Sequence, residues 1–323
     1  MSDWGKIYGY SWWGGVCEAP ANWGLIYKAD AGCVPGGNTY SFYYTDGLPA
    51  GVVGVDNSSA TYKYNLATGF TLLGWIKPHP DMYNTGTAPY PNYSQRCITD
   101  LSSSISSTAS GKGYSVYMRK LASGTFLCFW TAFDGLTESN RRVEIKLTDY
   151  VDDVYINTMF VAARLTDNGD GTWTQNLRVY SDWFEENTAQ GYIEATNTQT
   201  PVSSGMSYPS AQGLCLGNTD DNSPTTTSEF AGNLDEMSLW AGPMSDTNIE
   251  TLWSYPLHRM NLDLNAQSFA GDLTGWYRMG ENATWDGAKW EMPNSATGGL
   301  VQDQLDSTGM IEADRVNSII SDN

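Results

Sequence analysis

The chain has 323 residues, with 36 acidic against 17 basic side chains and a net charge of −19. That charge repels a phosphate backbone and an anionic bilayer surface, which argues against nucleic acid and membranes as partners. Hydrophobic residues make up 41% of the chain, with 13 Trp and 20 Tyr, so a wholly disordered chain is excluded.

Charged residues are only 16%, below the usual ~25%. The polar surface must therefore be Ser, Thr, Asn and Gly, as in loop-rich all-β proteins. No apolar run reaches the ~18 residues of a membrane span. The opening MSDWGKIYGYSWWGG lacks the basic and apolar regions of a signal peptide, so synthesis in a cytoplasm is expected. The five Cys, at 17, 33, 97, 128 and 215, are odd in number and form no C-x-x-C. Buried thiols are expected, with a Cys17–Cys33 bridge as the alternative.

Residues 1–39 form an aromatic, Gly-rich arm with two W-G-x-I-Y copies, at Trp4 and Trp23. Trp4, Tyr8, Tyr10, Trp12 and Trp13 cannot all sit in water. They pack either on their own domain or on a second subunit. Strand signals then follow at regular spacing: 39–46, 70–78, 114–120, 125–133, 141–149, 155–167, 172–183, 213–218 and 233–240. Gly74 within FTLLGWIKP marks a close approach or a bend. The Ser-rich run 100–113 reads as a loop. Asn-Gly and Asp-Gly in NGDG predict a tight hairpin turn between 155–167 and 172–183. One helix is predicted after Gly242-Pro243, capped by Ser245, with Asp246 in its first turn and Ile249, Leu252 and Trp253 facing the core. Many short strands and one helix describe a two-sheet antiparallel sandwich.

FTLLGWIKP resembles the first inner strand of the laminin-G-like, concanavalin-A-like jelly rolls. FAGNLDEMSLWAGPMSDTNIETLW (230–253) resembles that family's late strand and Ser-capped helix, and YINTMFVAARLTDNGDGTW the strands before it. The resemblance covers roughly residues 40–255, leaving 256–323 as a C-terminal extension. Within it, LTGWYRMGENATWDGAKWEMPNSA (273–296) is similar to the segment that follows this jelly roll in structural proteins of tailed, especially marine, phages. The resemblance implies an all-β jelly-roll virion component: a capsid decoration, head-fibre or tail-appendage protein. Such a protein is made in the host cytoplasm and contacts other virion proteins and copies of itself. Trp276 and Tyr277 join the arm as candidate assembly contacts, and the tail from Gly298 as an arm docked on another copy. The family's usual F-D-G-x-D-D-[YF] run is replaced by SFYYTDGLPAGVVGVDN, so no calcium site is carried over and no cofactor is expected.

Asp235-Glu236 is the one acidic pair that invites an enzyme reading. Retaining glycoside hydrolysis needs two carboxyls about 5–5.5 Å apart on one face. On a regular strand adjacent residues point to opposite faces, so the pair reads as scaffold, one acid fixing a turn and the other facing solvent. His79 and His258 are isolated and read as loop residues. DNGDG (167–171) places Gly where a calcium loop needs ligands at its third and fifth positions, and reads as a turn. Asp220 and Asp221, in a polar loop, are candidates for a cation or a sugar. Tyr83, Tyr90 and Tyr93, in the Pro/Tyr/Asn loop 78–94, are candidate glycan contacts. The sequence thus supports a non-enzymatic virion structural protein, with two alternatives: an adhesin for a host surface glycan, and a glycoside hydrolase on the same fold.

Overall fold

The computed structural model describes residues 40–44, 52–55, 69–79, 95–102, 112–133, 141–151, 158–181, 188–201, 214–217, 232–254, 262–279, 282–297, 305–308 and 315–317, with single positions between them. Strands in chain order are β1 (Tyr40–Tyr44), β2 (Val52–Val55), β3 (Gly69–Pro78), β4 (Gln95–Ser102), β5 (Gly113–Leu121) and β6 (Gly124–Thr131). There follow β7 (Arg142–Lys146), β8 (Met159–Asp167), β9 (Trp173–Tyr180), β10 (Tyr192–Gln199), β11 (Cys215–Leu216) and β12 (Gly232–Trp240). Helix α1 (Asp246–Ser254) precedes β13 (Leu273–Tyr277), β14 (Thr284–Trp285), β15 (Trp290–Met292), β16 (Leu305–Thr308) and β17 (Arg315–Asn317).

These strands form two antiparallel sheets. The eight-stranded sheet runs β10-β9-β8-β3-β12-β1-β17, with β13 also paired to β12. The nine-stranded sheet runs β14-β15-β16-β2-β11-β4-β5-β6-β7. The expected all-β jelly-roll sandwich forms, with the expected short helix among the described residues. Its main core lies between the sheets, where Phe70 of β3 meets Tyr114 of β5 (ring centroids 4.8 Å) and Phe129 of β6 (6.1 Å). Inner-face positions alternate as the pleat requires: Leu72 and Ile76 on β3, Val116 and Met118 on β5, Leu127 and Phe129 on β6. Gly74 sits in this core where a Cβ would lie 2.3 Å from the Met237 sulfur, so the close approach read from the sequence is real. A buried amide stitches the sheets near one edge. Gln175 Nε2 of β9 donates to Thr131 Oγ1 and to the Arg141 carbonyl, both at 2.9 Å.

The β8–β9 hairpin forms around NGDG as expected. Gly169 and Gly171 take φ of +75° and +86°, and the Asp167 and Asp170 carboxylates accept the amides of Gly169 and Thr172. Asp170 is held below the ordinary carboxylate range by its bonds from Thr172. Cys97, Cys128 and Cys215 are buried thiols. Burial pushes Cys128 up to about 12.

Two expectations change. Residues 95–102, partly read as loop, are a full strand paired to β5. The segment 256–323 is not an appendage: β13 pairs with β12, β14–β16 extend the nine-stranded sheet to β2, and β17 pairs with β1. The tail that was expected to dock on another copy supplies strands to its own chain's sheets.

Candidate functional site

The eight-stranded sheet turns one face to the core and the other outward. Its outward face divides into an apolar half under α1 and a polar half beyond it.

The apolar half is a second core. Trp253 of α1 packs among Trp75, Tyr180 and Phe160, with ring centroids 5.4, 5.4 and 6.4 Å away. Leu73, Ile249, Leu252, Leu262, Leu264 and Trp276 complete this cluster. Ile249, Leu252 and Trp253 are 0–4% exposed, so the predicted helix face is the buried one. Ser245 caps the helix as expected, its Oγ accepting from the Asn248 amide at 3.2 Å.

Asp235-Glu236 lies on this outward side and departs from the opposite-faces reading. The β12–β3 register shifts between Asp235 and Ser238, so one residue is extra. Asp235 stands opposite Trp75, and Glu236 lines a cleft with Leu73, Trp75, Phe160 and Ser238. The bulge therefore brings both acids to one side, and neither meets solvent: Asp235 is 0% and Glu236 8% exposed. Glu236 has φ of +46°, a left-handed conformation that side chains other than Gly resist. It is held there by its partners. Trp276 Nε1 donates to one carboxylate oxygen, and Arg278 Nε lies 3.2 Å from the other. Arg278 is itself buried and sits 5.5 Å from the Trp276 ring centroid. The cleft, about 20 Å³, has room for roughly one water. This arrangement fastens β13 to β12 across a bulge. Trp276 and Tyr277, expected at a subunit contact, are 2% and 0% exposed within their own chain, which leaves no ring surface for a partner.

The polar half spans β8, β9 and β10. Cross-strand pairing lays it out in rows: Thr166–Thr174–Thr198, then Arg164–Asn176–Thr196, then Ala162–Arg178–Glu194, ending on the aromatic row Phe160–Tyr180–Tyr192. Glu194, Thr196 and Thr198 are exposed. The hydroxyls of Thr174 and Thr198 are 3.1 Å apart, and Asn168 Nδ2 donates to Thr174 Oγ1 at 3.0 Å. Asn176 Nδ2 donates to Glu194. Arg178 donates from Nε to Glu194 (3.0 Å) and from Nη2 to Asp246 (2.7 Å), and its guanidinium lies 4.7 Å from the Tyr192 ring centroid. Arg164 donates to the Met244 carbonyl (2.7 Å) and to Asp246. Partial burial pushes the Asp246 carboxyl up, but the bonds from Arg164 and Arg178 outweigh this and hold it below the ordinary range. Thr71 of β3 completes the clasp on the helix entry, accepting from the Met244 amide (2.8 Å) and donating to the Gly242 carbonyl (2.9 Å).

The sequence reading passed over this platform. Its signal was present as a polar alternation, T-x-N-x-R-x-Y over 174–180 and E-x-T-x-T over 194–198. The residues singled out instead, Trp4, Tyr8, Tyr10, Trp12, Trp13, Trp23, Tyr83, Tyr90, Tyr93, Asp220 and Asp221, lie outside the described residues. Among the described residues no group of three or more His, Cys, Asp or Glu is placed to hold a metal.

No family model and no curated protein matches the chain. Among solved structures, a putative carbohydrate binding protein from Bacteroides ovatus aligns at 10% identity and a TM-score of 0.45, covering 84% of this chain and 58% of that one. The enzymatically active domain of tailspike protein 2 from bacteriophage CBA120 aligns at 11% identity and a TM-score of 0.36, covering 67% and 31%. A heptameric SAP-like pentraxin from Limulus polyphemus aligns at 12% identity and a TM-score of 0.36, covering 67% and 82%. The chain thus spans less than two thirds of the first two proteins' lengths. At these identities and TM-scores the likeness is one of sandwich fold alone.

Proposed function

We propose that this chain is a non-catalytic carbohydrate-binding sandwich, working on a virus particle as the element that meets a surface glycan. The observation that carries the reading is the β8–β10 platform. It is a sheet face set with threonine hydroxyls and bordered by the half-buried Tyr192, the neighbouring Tyr180 being buried under α1. Sugars offer hydroxyls in a plane and apolar C–H faces beside them; the threonine rows match the first and the open part of Tyr192 the second. The position in a virion rests on the similarity of residues 273–296 to phage structural proteins. Other virion proteins and copies of this chain are the partners that similarity implies.

The test is retention of the full chain on immobilised polysaccharides, compared with a Thr196→Val/Thr198→Val variant. Valine keeps the β-branched shape and removes the hydroxyl. Each lost hydrogen bond is worth about 1 kcal/mol, so the double variant should bind about tenfold or more weakly. Equal retention of both proteins refutes the placement on this face.

A further inference from the structure

We infer that the β8–β10 platform takes a neutral glycan and turns away anionic ones, those bearing uronate or sulfate groups. This rests on the glycan-binding reading above and names the ligand class of that same site.

The argument is a charge count made contact by contact. Besides Glu250 at its Tyr180 edge, the face carries, among the described residues, two cations, Arg164 and Arg178, and two anions, Asp246 and Glu194. The four are already joined to one another. Arg178 spends Nε on Glu194 and Nη2 on Asp246, and its side chain is only 5% exposed. Arg164 spends Nη1 on Asp246 and on the Met244 carbonyl, with its side chain 16% exposed. The acids are the more open members, at 30% for Glu194 and 50% for Asp246. An arriving carboxylate or sulfate therefore meets the negative ends of these pairs first. Nη1 of Arg178 and Nε of Arg164 are buried, so to reach either cation it must displace an acid that is already bonded, and it gains no net charge pairing by the exchange. The chain's −19 charge adds repulsion at long range.

What the face still offers is neutral. Thr196 and Thr198 are exposed on β10, and Thr166 and Thr174 are partly exposed beside them. Neighbouring strands set these groups about 4.8 Å apart, and alternate residues about 6.8 Å apart, on a fixed grid. Hydroxyls both donate and accept, so they suit a ligand whose own groups are hydroxyls. The ion pairs then have a positioning role. They hold Asn176 and the strand grid in place and keep the face electrically closed.

The experiment is affinity electrophoresis of the full chain in gels containing neutral polysaccharides (β-glucan, galactomannan, dextran) or acidic ones (alginate, polygalacturonate, dextran sulfate). Each gel is run at about 50 mM and about 500 mM salt, where screening lengths differ roughly threefold. The expected result is retardation by at least one neutral polysaccharide, changed less than about twofold by salt and reduced about tenfold in Thr196→Val/Thr198→Val. Retardation by an acidic polysaccharide that collapses at the higher salt overturns the neutral-ligand inference while the glycan reading stands. Retardation by no member of either panel overturns both. A Glu194→Gln variant adds an independent readout: removing one open anion should admit acidic chains at low salt, and failure to do so counts against the charge argument.

Discussion

Replacing Glu236 with alanine removes the acid that joins Arg278 and Trp276 to the bulge of β12. Both partners of the ion pair are buried, at 5% and 8% side-chain exposure, so the arginine would lose its partner carboxylate. Breaking one side of such a pair costs about 3–5 kcal/mol. Arg278 keeps its place over the Trp276 ring, 5.5 Å from the centroid, which favours the lower end, about 3 kcal/mol. Glycine at the same position loses the same pair but accepts the φ of +46° without strain. A left-handed residue with a Cβ carries about 1–2 kcal/mol of strain, so Glu236→Gly should be about 1 kcal/mol more stable than Glu236→Ala. Adding Arg278→Met to the alanine variant removes the buried charge that Glu236 had balanced and should recover part of the loss. Urea unfolding followed by tryptophan fluorescence reads all three. The reasoning fails if alanine is as stable as glycine, if Glu236→Ala costs under about 1 kcal/mol, or if the double variant is no better than the single one.

Asp246 gives a pH test. Its folded carboxyl lies below the ordinary carboxylate range, so the unfolded chain binds more protons as acid is added, and this contribution to stability is present above about pH 4 and lost as pH falls through the folded value. The difference in thermal midpoint between the native chain and Asp246→Asn should be largest near neutrality and close on acidification; a gap that stays constant with pH counts against the clasp. The thiols of Cys97, Cys128 and Cys215 are buried, and that of Cys128 is pushed up to about 12. Iodoacetamide at neutral pH should therefore leave their peptides unlabelled in the native protein and label them in urea, as read by peptide mass mapping. Native labelling at the unfolded rate would place them at the surface.

The elements legible in the sequence were those whose burial shows in composition. The strands β3, β5, β6, β8, β9 and β12 are apolar runs bounded by turn residues, and the helix carries a cap and a 3.6-residue stripe. The edge strand β10 was not legible, because its inward positions include Asn197 and Gln199, so neither face looks like a core face. Asn197 is inward for a reason only the tertiary structure shows: its Nδ2 donates to the Arg142 carbonyl of β7 (3.2 Å), joining the edges of the two sheets. The strands β14–β17 have two to four residues each, and β16 and β17 gain pairing from β2 and β1, far away in sequence. The Asp235-Glu236 site failed differently. Alternation was the right rule for a regular strand, but an inserted residue resets it, and here no glycine marks the insertion. The polar platform was legible as alternation, but polar alternation marks any solvated sheet face and does not by itself single out a site.

The pairing of β1 with β17 and of β2 with β16 bears on how this chain is made. Phe42 meets Arg315 and Val52 meets Thr308, contacts that span more than four fifths and three quarters of the sequence. Such loops are entropically slow to close. On a ribosome, β1 and β2 can pair on one side with β12 and β11, but their other edges stay open until β17 and β16 emerge. Synthesis that stops short of residue 305 leaves both sheets unfinished, so the fold closes only once residues 305–317 have been made.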